Sequence, residues 1–150
     1  MENTRILVSQ ASFSVGEEYL WLSGCEQDGA VVTFTGKVRN HNLGESVSGL
    51  SLEHYPGMTE KALAEIVEDA RSRWPLGRVV IIHRVGDMQP GDEIVFVGTS
   101  AAHRQAAFES AEFIMDFLKT RAPFWKREAT PQGSRWVAAR QSDEQATQRW

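Results

Sequence analysis

Val79-Val80-Ile81-Ile82-His83-Arg84-Val85 and Glu93-Ile94-Val95-Phe96-Val97-Gly98-Thr99, linked through Asp87-Met88-Gln89-Pro90-Gly91-Asp92, decide the fold. Both runs are short, apolar and rich in β-branched residues, so each reads as a strand. The link is made of turn residues and is too short for a crossover helix. Strands joined this tightly pair antiparallel, because a parallel pair needs a dozen or more residues between its members.

Upstream of this pair, Leu63, Ile66, Val67 and Ala70 share one face of a helix running from a Thr59 cap to about Arg73. Pro75 and Gly77 end it. Leu50 to Tyr55 is a strand closed by Pro56-Gly57, and Asn40 to Gly49 reads as an exposed loop. Ala30 to Val38 alternates as a strand, and Cys25 to Gly29 is turn-like. Ser14-Val15-Gly16-Glu17 has capping-box spacing and opens a short helix to about Leu22, after a first strand from Arg5 to Ser9. Downstream, Ser100 caps a second long helix whose inner face holds Phe108, Ala111, Met115 and Leu118. Beyond Pro123 come two extended pieces, Phe124 to Ala129 and Arg135 to Ala139. The class is α+β, with mostly antiparallel strands gathered around two long helices. One domain spans 1–150, with a polar tail over 141–150 free to be flexible.

The 150 residues carry a formal net charge of -4, and the acidic pI of about 5.6 argues against general nucleic-acid affinity. The N-terminus has no signal-peptide pattern, and no apolar run approaches the ~20 residues that span a bilayer. One cysteine, Cys25, excludes an intrachain disulfide, so the expected compartment is the cytoplasm. His41, His54 and His83 have no ligand spacing with one another, so no metal site is expected; there is no Gly-rich phosphate loop, and no cofactor is expected.

Against that acidic background, Lys119-Thr120-Arg121-Ala122-Pro123-Phe124-Trp125-Lys126-Arg127 concentrates four cations within nine residues. Phe124 and Trp125 suggest a partly apolar wall, where an ammonium loses solvation and its pKa falls. An anion-handling site with one or two working lysines is one reading; cations decorating a helix C-terminus is the other, and spacing alone favours it. Ser100-Ala101-Ala102-His103-Arg104 opens the same helix and offers unpaired N–H groups beside His103 and Arg104, a seat for phosphate or carboxylate. A surface His-Arg pair is the equally weighted alternative. At ~1.5 Å per residue, His103 and Lys119 lie about 24 Å apart. If both serve one small ligand, the site lies between two subunits, which predicts a homodimer. Phe34-Thr35-Gly36-Lys37-Val38-Arg39 ends a strand with two cations, either an anion-binding strand end or a lysine-protected edge.

These stretches, together with Leu52-Glu53-His54-Tyr55-Pro56-Gly57-Met58, His83-Arg84-Val85-Gly86, Gly91-Asp92 and a final Glu128, occur in order over residues 5 to 140. In that ordered set the chain resembles the large, catalytic subunit of molybdopterin synthase. The resemblance implies an α/β-hammerhead fold with antiparallel sheet. It implies conversion of cyclic pyranopterin monophosphate to molybdopterin by insertion of two sulfurs as a dithiolene. The sulfur donor it implies is the C-terminal thiocarboxylate of a small ubiquitin-like subunit ending in Gly-Gly, in a heterotetramer around a central dimer of this chain. Carried onto this sequence, Lys119 is the expected general acid/base, and Lys126 would hold the thiocarboxylate or an intermediate, with Arg127 and Glu128 lining the same pocket. Lys37, Val38 and Arg39 would help bind substrate, His103 and Arg104 of the second subunit its phosphate, and Phe34 and Met115 the pterin. Arg140 is a further basic candidate. Two other readings of the basic-aromatic stretch are a nucleotide or single-strand binding module and a stand-alone enzyme for a small phosphorylated metabolite.

Overall fold

The computed structural model describes residues 3–42, 44–137 and 141–150. In chain order the elements are β1 (Thr4–Ser9), α1 (Val15–Leu22), β2 (Ala30–Lys37), β3 (His41–Asn42), β4 (Glu45–Ser46), β5 (Gly49–His54) and α2 (Met58–Arg73). They continue with β6 (Leu76–Arg84), β7 (Gly86–Met88), β8 (Glu93–Ala101), α3 (Arg104–Arg121), β9 (Phe124–Thr130), β10 (Gly133–Val137) and α4 (Gln141–Thr147). Two four-stranded sheets run β1-β6-β8-β2 and β10-β9-β5-β7, and β3 pairs with β4. β6 and β8 are antiparallel, with Ile81 opposite Val97 and Ile82 opposite Phe96, as the tight link between them requires. β1 lies parallel to β6. The second sheet is antiparallel throughout.

The period of two along β6 explains its unbroken apolar run. Val79 and Ile81 join the core formed with α2 and α3, while Val80 and Ile82 pack with Leu22 of α1 and Phe96 on the opposite face. α1 lies so close to the sheet that a Cβ on Gly98 would meet Leu22 Cδ1 at 2.2 Å. His83 continues the Val79–Ile81 row and so projects toward α3 rather than α1. Leu63, Ile66, Val67 and Ala70 of α2 are fully buried, as their spacing requires.

Several sequence expectations change. The buried stripe of α3 runs through Ala107, Ala111, Ile114 and Leu118. Phe108, one residue and about 100° away, is 61% exposed instead of facing inward. Ser100 does not cap α3, because β8 continues to Ala101 and His103 takes the N-cap position. The buried Ser100 hydroxyl instead accepts from the Arg78 N–H at 2.7 Å and donates to the Asp28 carboxylate at 2.9 Å. Thr59 does not cap α2 either: its hydroxyl donates to the Tyr55 carbonyl at 2.9 Å. Gly57 is the cap, with φ at 84°, and its N–H is taken by the Glu60 carboxylate at 2.9 Å.

The polar stretch from Asn40 to Gly49 is not simply an exposed loop. It holds the β3–β4 ribbon and buries Asn42 and Val47. The link after β6 contains β7, which pairs with β5 and joins the two sheets through Met88. The tail forms α4 and ends with Trp150 edge-on to Trp74 and Phe113, its ring centroid 5.6 and 5.7 Å from theirs. The Trp150 indole N–H donates to Asp116 at 2.6 Å. One aromatic at the very end overrides the polar composition before it.

Candidate active site

α3 and β9 meet at a single short turn. Ala122, forced out of helical geometry by the proline after it, is extended with ψ at 135°. β9 then alternates, sending Phe124, Lys126 and Glu128 to the inner face of the second sheet and Trp125 and Arg127 outward. Pairing fixes the surroundings: Lys126 lies between Leu52 and Val137, and Glu128 between Leu50 and Arg135. Lys119, in the last turn of α3, reaches the same space from the helix side.

That space is a cavity of about 320 Å³ lined by Lys119, Lys126, Glu128, Met115, Phe34, Lys37, Val38 and Arg39. Eight of the twelve residues singled out from sequence therefore converge on it. A bulge in β2 between Gly36 and Lys37 breaks the register against β8 just before Lys37 and Arg39 enter the lining. Gly36 is needed by its protein neighbours: a Cβ there would sit 2.6 Å from Val95 Cγ1 and 3.4 Å from Phe34 Cε2.

The charges are unequal. Lys119, Lys37 and Arg39 are exposed at the rim, whereas Lys126 is half-buried on the floor. Burial, then the nearby Lys119 ammonium within hydrogen-bonding reach, pushes the Lys126 pKa down to about 8, against the opposing pull of Asp143 and Glu128. Near neutral pH this amine exists in both forms, the condition for accepting or donating a proton. Glu128, 8% exposed, is held by the Asn42 amide, which donates to both carboxylate oxygens at 3.0 Å. Arg135 adds donations from Nε at 3.3 Å and Nη2 at 3.2 Å. A fixed anion thus lies on the same strand face as the depressed lysine.

The remaining sequence candidates are placed elsewhere. Arg127 turns outward, its guanidinium 5.4 Å from the Trp136 ring centroid, so it does not line the pocket with Glu128. Trp125 is also outward and 47% exposed, so of the two neighbouring aromatics it is Phe124 that lines the cavity, together with Phe34. Arg121, one of the four cations between Lys119 and Arg127, pairs with Asp69 of α2 at 2.8 Å. His103 and Arg104 are exposed at the far end of α3, outside the pocket lining. Arg140 lies outside the described residues. Sequence reading missed His83, Asn42 and Asp143, all of which line the cavity. The available signal was a histidine interrupting a β-branched run, and only for His83. Among the described residues, no group of three or more His, Cys, Asp and Glu is placed to hold a metal ion, and no helix is long and apolar enough to cross a membrane.

Fold and site define an α+β protein in which two lysines from α3 and β9 meet in one cavity beside Phe34, Met115 and Phe124. The family described as MoaE protein matches residues 8–121. A molybdopterin synthase catalytic subunit from Escherichia coli (strain K12) is 71% identical over 150 residues, covering 100% of both chains. In structure, a molybdopterin biosynthesis MoaE protein from Burkholderia ambifaria MC40-6 matches with a TM-score of 0.84 and 48% identity, over 98% of this chain and 97% of that one. A complex of subunits 1 and 2 of molybdopterin-converting factor from Helicobacter pylori 26695 shares the fold, with a TM-score of 0.70 at 20% identity over 92% and 90%. The chain belongs to the MoaE family, the catalytic subunits of molybdopterin synthase.

Proposed function

We propose that this chain makes molybdopterin from cyclic pyranopterin monophosphate with Lys119 and Lys126 as its working residues, and that sulfur reaches them as a partner's thiocarboxylate. The observation that carries the assignment is the meeting of these two lysines in one cavity, with Lys126 held near pH 8. A thiocarboxylate tail and a phosphorylated pterin are both anions, and Lys119, Lys37 and Arg39 at the rim attract either. Phe34 and Met115 supply flat and flexible apolar contact for a pterin ring. Lys119 is the proton donor and acceptor nearest the carbons that receive sulfur; Lys126 holds the sulfur-bearing tail or the intermediate.

The lone cysteine, Cys25, is absent from the cavity lining, which fits a sulfur donor brought by another protein. The Helicobacter pylori relative is a complex of two subunits, which supports a small partner subunit here. The proposed assembly is a dimer of this chain with one small subunit at each end, in the cytoplasm. His103 and Arg104 of the second copy then complete the pocket for the substrate phosphate.

Lys119→Ala should abolish product formation in the reconstituted synthase, by three orders of magnitude or more, while the small subunit still binds. Turnover within a few-fold of the unmodified enzyme would remove Lys119 from the central role. Turnover by this chain without any thiocarboxylated partner would favour a stand-alone enzyme instead.

A further inference from the structure

His83 lines the same cavity and none of the roles above uses it. It is 5% exposed, on the β6 row that projects toward α3 and the second sheet. Two contacts fix its ring. Nδ1 lies 2.9 Å from the Arg84 carbonyl, and because a carbonyl only accepts, Nδ1 carries the proton. The ring face stacks on Phe124, with centroids 3.9 Å apart and planes 23° from parallel. Phe124 is itself backed by His54 at 6.4 Å. The His83 ring therefore cannot turn, and its second nitrogen is an unprotonated acceptor at the cavity wall.

The groups whose charge acts most on it are Lys119 of α3, Lys126 of β9 and His54 of β5, with Lys37, Arg39, His41, Glu128 and Asp143 elsewhere in the same cavity lining. Buried among them, His83 resists taking a charge, and its pKa is pushed down to about 3, chiefly by burial. A neutral imidazole whose tautomer is set by a neighbouring carbonyl is a built lone pair, and of the donors in this cavity Lys119 and Lys126 are the ones whose charge His83 feels.

We propose that His83 is a positioning residue for the lysine pair, its fixed Nε2 accepting a hydrogen bond from a lysine ammonium and so holding the pair in its working arrangement. The proposal rests on the lysines being the site, and its first readout is made on this chain alone so that the two fail separately. His83→Phe keeps the ring and its stack but removes both nitrogens. His83→Gln carries an amide oxygen near the Nε2 position, and His83→Asn carries an amide nitrogen near Nδ1.

Lysine side-chain titration, followed by NMR of ¹³C-labelled lysine, should show the pocket amine losing its proton about one pH unit lower in His83→Phe, because an acceptor for the charged form is gone. His83→Gln should titrate close to the unmodified chain, and His83→Asn should follow His83→Phe. In the reconstituted synthase, kcat should fall at least tenfold in His83→Phe and His83→Asn, recover in His83→Gln, and KM should change less than threefold. Unchanged lysine titration in a folded His83→Phe would overturn the proposal. So would rescue by Asn but not by Gln, which would make the Arg84 bond, a purely structural contact, the part that matters.

Discussion

Lys126 is the residue in which fold and chemistry conflict. An unfolded lysine titrates near 10.5 and this one near 8, so between those values the unfolded chain binds more protons than the folded one. Stability from this group therefore rises with pH across that window, and below pH 8 the fold bears the full cost of an ammonium on an apolar floor. The separation corresponds to about 3 kcal/mol. Lys126→Met, which fills the same volume without charge, should be more stable than the unmodified chain at pH 7 by up to about that amount. Urea unfolding at pH 7 and pH 10 should show the advantage shrinking toward zero at the higher pH, while synthase activity is lost at both. An advantage that is absent at pH 7, or the same at both values, would mean that Lys126 carries no such cost. A stabilised but inactive variant is what a residue kept for function produces.

Strand β9 shows what a single element contributes and how far sequence could read it. Its alternation separates Lys126 and Glu128 from Trp125 and Arg127, and a basic cluster read as one patch becomes two faces of a sheet. The resemblance named Arg127 and Glu128 together, yet period two forbids neighbours from sharing a face. The same rule, applied to β6, places Val79, Ile81 and His83 in one row, so that site residue was within reach of the pattern. Asn42 was not: its amide meets Glu128, 86 positions later, at 3.0 Å, its carbonyl accepts from Arg135 at 3.1 Å, and nothing local records either. Ser100 and Thr59 were misread because a hydroxyl near a helix start looks the same whether it caps the helix or bonds a strand or turn. The strands and the α2 stripe were legible since burial on a fixed period writes itself into the chain. The Glu128 network gives this element its prediction. Arg135→Ala leaves the carboxylate buried with the Asn42 donor still in place, and should cost about 1–3 kcal/mol in unfolding free energy. Because Glu128 stabilises the Lys126 ammonium, its looser placement should also move the pH profile of kcat. A stability loss with an unmoved profile would confine Arg135 to a structural role.

At the scale of the whole molecule, the length of α3 is the deciding quantity. The helix is 18 residues long, Arg104–Arg121, with the pocket lysine at its C-terminal end and His103 and Arg104 exposed at its start. A straight helix separates those ends by about 24 Å, farther than one small phosphorylated pterin reaches, so one chain cannot supply both. The proposed dimer resolves this by letting each pocket take its lysines from one copy and its phosphate ligands from the other, an isologous arrangement that creates two equal sites. Complementation tests it without a structure of the assembly. Lys119→Ala and the double variant His103→Ala/Arg104→Ala should each be nearly inactive at substrate concentrations below KM. Refolded together in equal amounts, half of the dimers are mixed, and in each mixed dimer one pocket has intact lysines from one chain and an intact phosphate seat from the other. About a quarter of the full activity should return. If all these residues served a site within one chain, no pocket in the mixture would be whole and nothing would return. A mixture as inactive as its components, with mixed dimers shown to be present by mass, would overturn the shared site while leaving the lysine pair untouched.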